Sequence, residues 1–229
     1  MRAPSKTREK LLETAIRLVW QSNYCSVGVM EICKRAGVTK GAFYHHFESK
    51  ADLFYAAAQH HWAATKPDLD AIFSPVVKPL DQLENLIAYV IDGHEQMARS
   101  FMEDGEGDAL EVAGCPFFSA GGQVGIEETR VRQAASEIAE KSIEYASAFV
   151  HGLKAGGYLE GDPDPHQVGR MVFTFIQGLL IYGRAQNSRA VVEAGLRDGL
   201  YRLLALNPEY RRAGESERSS AASSLIGGA

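Results

Sequence analysis

The chain predicts an all-α fold, built as a small N-terminal three-helix unit followed by a larger C-terminal helical body. Three observations carry that prediction. Apolar residues recur at helical spacing along almost the whole chain, helix start and stop signals separate the runs, and no stretch of consequence alternates as a half-buried strand does. At 229 residues there is length enough to bury a real core, in one large domain or in a small one joined to a larger one.

The elements follow in order. In KTREKLLETAIRLVWQ, Leu12, Ala15, Ile16 and Val19 fall at i, i+3, i+4 and i+7 and make one face of an amphipathic helix, which Asn23 and Tyr24 end. Ser26 is expected to cap a short second helix that turns Val29, Ile32 and Cys33 inward, and Gly37 supplies the left-handed stop favoured after a helix C-terminus. Thr39 caps a third helix, which must end by Phe47 because Ser49-Lys50-Ala51-Asp52 matches the start signal Ser/Thr-x-x-Asp/Glu. The fourth helix is expected to run to Pro67, where a proline-marked break opens the body.

Within the body, residues near 80 to 102 read as one helix, and the glycine-rich stretch 103 to 126 as irregular or only briefly helical. A long helix over 127 to 155 is closed by Gly156-Gly157. The next, about 165 to 186, starts at DPDP and is apolar nearly all round, so it must be covered on more than one side. In the last, about 189 to 206, Val192, Leu196, Gly199, Leu200 and Leu203 form a single stripe. Gly169, Gly178 and Gly183 mark places where helices could approach closely, and the tail from Pro208 has the composition of a disordered segment.

Charge is unevenly placed. The net charge is −5, yet the first 50 residues carry nine Lys/Arg against four Glu, a net of +5, which leaves −10 for the rest. A basic head on an acidic body suggests that the head meets a polyanion. Other classes are disfavoured by what is missing. Cys25, Cys33 and Cys115 are widely spaced without a CxxC pair, which indicates neither a disulfide framework nor a zinc site and suits a reducing cytoplasmic setting. No apolar run approaches the ~18 to 20 residues of a membrane span, and MRAPSKTREK lacks the apolar core of a secretion signal. His94-Glu95-Gln96-Met97-Ala98 begins like HExxH but lacks the second histidine, and no P-loop, dinucleotide fingerprint or nucleophile elbow occurs. An all-α enzyme would need a site that the sequence does not show, and no metal or cofactor is indicated.

The third helix sorts its residues by face. Phe43 and Phe47, four apart, can pack on Ile16, Val19, Val29 and Ile32, while Lys40, Tyr44 and His45 lie elsewhere on the surface. Gly41 sits among them, and a glycine in a short helix costs ~1 kcal/mol relative to alanine, so close approach to another surface is a reason for it. Thr39, Lys40, Tyr44 and His45 are donors suited to phosphate oxygens and base edges, and Lys50 in the next helix would add a further point.

The run from Ile32 to Leu53, ICKRAGVTKGAFYHHFESKADL, closely resembles the DNA-binding signature of the TetR family of bacterial transcriptional regulators. Ala36-Gly37-Val38-Thr39, Gly41, Tyr44, Phe47, Lys50 and Leu53 all stand at the family's spacing. The resemblance implies a homodimeric regulator, more often a repressor than an activator, that reads double-stranded operator DNA and is released when an effector binds its C-terminal domain. It implies Thr39, Lys40, Gly41, Tyr44, His45 and Lys50 as the DNA contacts. The implied division is a helix-turn-helix domain over 1–48, a connecting helix over 49–66, an effector-binding and dimerisation domain over 67–207 and a tail over 208–229, with the last two long helices pairing in the dimer. Two positions depart from the pattern: Cys33 replaces the usual Ala, and Val27 stands where a phosphate-contacting Thr is usual.

For the small-molecule site, Phe101, Met102, Phe117, Phe118, Tyr145, Phe149, Phe173, Gln177 and Tyr182 are the candidates, as an aromatic-lined cavity with a few polar groups. Cys115, in GCPFF, joins them. A thiol near a helix N-terminus can have a lowered pKa, so an alternative reading makes Cys115 a sensor of electrophiles or oxidants.

Overall fold

A computed structural model describes residues 5–100, 111–112 and 114–211; among these, helices account for every regular element and there is no strand. In chain order they are α1 (Lys6–Gln21), α2 (Val29–Ala36), α3 (Lys40–His46), α4 (Lys50–Ile72), α5 (Pro79–Ser100), α6 (Pro116–Gly121), α7 (Thr129–Ala155), α8 (Pro165–Gln186), α9 (Arg189–Leu203) and α10 (Pro208–Arg211). Local chemistry explains most of the boundaries. Ser5, Thr39, Ser49 and Asp164 each accept a hydrogen bond from a backbone N–H three residues on, and so start α1, α3, α4 and α8. Gly37 ends α2 at φ +64°, and Val38 N–H donates to the Cys33 carbonyl at 3.0 Å, which turns the chain sharply into α3.

Three expectations need correction. Ser26 does not cap α2: Gly28 occupies that position, while Ser26 donates its N–H to Asn23 Oδ1 at 3.0 Å in the preceding turn. The fourth helix does not stop at Pro67 but continues to Ile72. Proline removes the bond to the Ala63 carbonyl, but both residues are exposed, so water can satisfy that oxygen, and the extra turn buries Leu69 and Ile72. The tail starts as the short α10, with Tyr210 edge-on to Tyr158 at 4.9 Å; residues 212–229 lie outside the described residues.

Two apolar cores organise the molecule. The first joins α1 to α4 with α6 and the N-terminal half of α7, through Leu11, Ile32, Phe43, Leu53, Phe117, Val131 and Ala134 among others. The second joins α5, the C-terminal half of α7, α8 and α9. The three-helix head therefore shares its core with part of the body. Gly169 lets α8 close on α7, since a Cβ there would lie 2.7 Å from the Ser147 backbone nitrogen, and Gly183 likewise makes room for Val192 of α9. These two glycines serve contacts within one chain; Gly178 faces open space. Along the other flank of α4 runs a polar seam. Tyr55 and Gln59 donate to Glu137 of α7 at 2.6 to 3.1 Å, Lys141 donates to Gln59 at 3.0 Å, and Arg130 pairs with Asp52 at 3.2 Å.

Candidate nucleic-acid interface and the body behind it

The reading face is built outward from Phe43. That ring is fully buried and Phe47 nearly so, and their spacing rolls α3 until Thr39, Lys40, Gly41, Tyr44 and His45 are all exposed. Tyr44 leans edge-on against Phe43 at 5.1 Å, and the Lys40 ammonium lies 5.7 Å from the Tyr44 ring centroid. Thr39 accepts from Ala42 N–H at 3.1 Å; as an acceptor its hydroxyl caps the helix, and its O–H remains a donor. Behind them His46 Nε2 meets Ser5 Oγ at 3.2 Å, which ties the end of α3 to the start of α1.

Gly41 has no reason within the chain. A Cβ built there finds only Thr39 Oγ1, at an ordinary 3.8 Å. Gly41→Ala should therefore leave the fold intact and gain ~0.5 to 1 kcal/mol of helix propensity, measurable by urea unfolding. If the glycine exists to admit DNA, operator affinity in the same variant should fall by about tenfold or more.

Lys50, expected at a phosphate, also has partners inside the head. Its ammonium donates to the carbonyls of Tyr24 and Val27, each at 3.0 Å, and sits 4.1 Å from the Tyr24 ring centroid. It thus pins the loop between α1 and α2 against the first turn of α4. Val27, at the usual Thr position, is buried in the head core, and its side chain has no hydroxyl to offer a phosphate.

Head and body meet at His61 on α4. Its ring stacks on Phe117 of α6 at 5.3 Å and meets Trp20 of α1 edge-on at 5.7 Å. Burial, aided by the neighbouring His60, pushes its pKa from 6.5 down to about 4. Between those values the unfolded chain binds the proton and the folded chain does not, so this contribution to stability is present above pH 6.5 and is lost as pH falls toward 4. Urea unfolding should show about 2 kcal/mol lost between pH 7 and pH 5, and His61→Gln should flatten that slope. A second tie joins α8 to the end of α1. Arg184, near the end of α8, donates to the carbonyls of Trp20 at 3.3 Å and Ser22 at 3.2 Å, at the end of α1.

The expected effector residues do not converge on one cavity. Phe117 faces α4, with Phe54 at 5.2 Å as well as His61. Tyr145 and Phe149 join Phe73, at 5.8 and 5.7 Å, with Trp62 beside Tyr145, and the Tyr145 hydroxyl donates to Asp70. Phe118 instead meets Phe173 edge-on at 5.0 Å, and Gln177, a turn further along α8, has a buried Oε1 without a hydrogen-bond partner. Tyr182 is 55 % exposed on the outer side of α8, so it lines no interior cavity. Helical spacing could not separate these faces, because Phe117, Tyr145 and Phe149 pack toward different parts of α4 and its C-cap while Phe118 turns to α8. Phe101 and Met102 lie outside the described residues. Cys115 precedes α6, and burial pushes its thiol pKa up despite the nearby N–H groups of Phe118 and Phe117, the reverse of the shift expected of a sensing thiol.

Comparison with known proteins bears on both parts. Residues 11–57 match the family described as bacterial regulatory proteins, tetR family. The chain is 33 % identical over 103 residues to the HTH-type transcriptional regulator AcrR of Shigella flexneri, covering 43 % of this chain and 47 % of AcrR. It is 43 % identical over 58 residues to the HTH-type transcriptional repressor NemR of Escherichia coli K12, covering 25 % of this chain and 29 % of NemR. The chain thus spans less than half the length of these curated relatives. Among solved structures, a regulatory protein TetR from Rhodobacter sphaeroides superposes with a TM-score of 0.71 at 22 % identity, over 88 % of this chain and 98 % of that one, and shares the fold. Among the described residues no helix is long and apolar enough to cross a membrane.

Proposed function

We propose that the chain, whose residues 11–57 match the family of bacterial regulatory proteins described as tetR, belongs to that family and is a homodimeric, cytoplasmic transcriptional repressor. It holds a palindromic operator in double-stranded DNA and releases it when a small molecule occupies the body; no catalysis is part of this reading. The observation that carries the reading is the outward face of α3. Thr39, Lys40, Tyr44 and His45 surround a glycine that nothing in the chain itself requires, which is what a helix pressed into a major groove needs. Lys50 supports that face from behind by ordering the Tyr24 to Val27 loop. Nuclease footprinting of the purified protein on a genomic fragment library tests it. A protected, roughly palindromic site is expected, and failure to protect any fragment would overturn the reading.

Dimerisation runs through α8 and α9. On α8, Met171, Ile181 and Tyr182 are 47 %, 49 % and 55 % exposed and, with the unobstructed Gly178, form one strip along the helix. An apolar strip of that shape suits a second copy of the same helix across a twofold axis. Ile181→Asp should weaken the dimer by about 100-fold or more, so that sedimentation velocity at micromolar concentration shows monomer. Operator protection should be lost with it, since one head reaches one half-site.

Release then follows from geometry. Two α3 helices must sit ~34 to 36 Å apart to enter successive major-groove faces, so an effector need only favour a different separation. α4 is the lever, held by the Glu137 seam on one flank and by Phe117 on the other.

A further inference from the structure

A groove of about 360 Å³ opens where α6, α7 and α8 meet, apart from most of the aromatic residues picked out by sequence. Gly121 and Gly122 give part of its lining almost no side-chain bulk, and α6 lies so close to α7 there that a Cβ on Gly121 would fall 2.6 Å from that of Ala135. Phe118 and Ile181 give it apolar surface. Arg132, exposed on α7, gives it a charge. One guanidinium N–H of Arg132 reaches the Ile126 carbonyl at 3.4 Å, and among the described residues no carboxylate pairs with it. The two serine hydroxyls of the lining are already committed, Ser119 to the Cys115 carbonyl at 2.8 Å and Ser136 to Glu140 at 3.0 Å. The donor that remains is the planar fork of Arg132, which matches a carboxylate better than any neutral group.

We propose that this groove binds a compact aromatic carboxylate, its ring against Phe118 and Ile181 and its anionic end on Arg132. The volume lies at the small end of the ~300 to 1,000 Å³ typical of ligand sites, which favours one or two fused rings over a long chain. The position also supplies a route to the head, a step that rests on the regulator reading above. Phe118 and Ser119 present one side of α6 to the groove, while Phe117 presses the other side on His61 and Phe54 of α4. An occupant that pushes α6 pushes the lever.

The test titrates 2-naphthoate and its neutral isostere 2-naphthamide into the full-length protein by calorimetry, without DNA. Naphthoate should bind about tenfold or more tightly than naphthamide. Arg132→Gln, an exposed substitution whose folding circular dichroism checks, should erase that preference and leave naphthamide unchanged. Ser136→Phe, which fills the groove from α7, should weaken both ligands. No saturable binding of naphthoate up to about 1 mM overturns the proposal, as does equal binding to wild type and Arg132→Gln. Sedimentation is run alongside: dissociation into monomers on binding would mean that a second copy fills the groove, and would also overturn it. Naphthoate should then remove the operator footprint in wild type but not in Arg132→Gln; binding at Arg132 with the footprint intact would overturn the coupling through α6. Failure of the ligand-free protein to footprint at all would strike the regulator reading instead, since calorimetry needs no operator.

Discussion

Tyr44→Ala should abolish operator protection in a protein that still folds. The side chain is 49 % exposed and touches its own domain mainly through an edge contact with Phe43, so truncation should cost the fold no more than ~1 kcal/mol. The loss in binding is larger. A side chain at a base edge or phosphate contributes ~1 to 3 kcal/mol per half-site, and the twofold axis doubles every substitution, for a total of ~2 to 6 kcal/mol. Operator affinity measured by fluorescence anisotropy at fixed salt should drop by about 30-fold at the least, with the circular dichroism melt almost unchanged. Unaltered affinity would remove α3 from the interface as drawn.

Phe117→Ala should cost ~3 to 5 kcal/mol, the range for emptying a fully buried aromatic site. The ring has no exposure, and it is the point at which α6 of the body enters the core of the head. Because domains of this size carry only ~5 to 15 kcal/mol in all, the urea midpoint should fall steeply, whereas Phe117→Leu, which keeps most of the volume, should fall by a smaller amount. A cost under ~1 kcal/mol would mean that α6 does not support α4, and the proposed route from groove to head would fail with it.

The features legible in the sequence were those decided within a few residues. The Ser49 to Asp52 capping box, the left-handed Gly37, the inward pair Phe43 and Phe47, and the bounds of α8 all depend on local backbone chemistry. Illegible were the features decided by a distant neighbour. Pro67 looked like a stop because its own ring forbids a hydrogen bond, but burial of Leu69 and Ile72 beyond it outweighs one lost bond at a wet surface. The charge of Lys50 suggests phosphate, and nothing local shows that its ammonium also donates to two carbonyls 26 and 23 residues upstream. Aromatic spacing identified which rings are inside but not which rings face one another, since Phe117 and Phe118 are neighbours in sequence and lean on different helices. The Arg132 groove left no trace because an exposed arginine and two glycines are ordinary until three helices meet around them.

Arg184 carries a consequence for operator choice. Its guanidinium runs from the proposed seam helix α8 to carbonyls at the end of α1, so in the proposed dimer the yaw of each head would be indexed to the twofold axis by a side chain 162 to 164 residues away in sequence. On that proposal, the number of base pairs between half-sites would depend on the body as much as on α3. Two relatives with identical reading heads but differently packed α8 helices should prefer operators that differ in spacer length and share the same half-site letters.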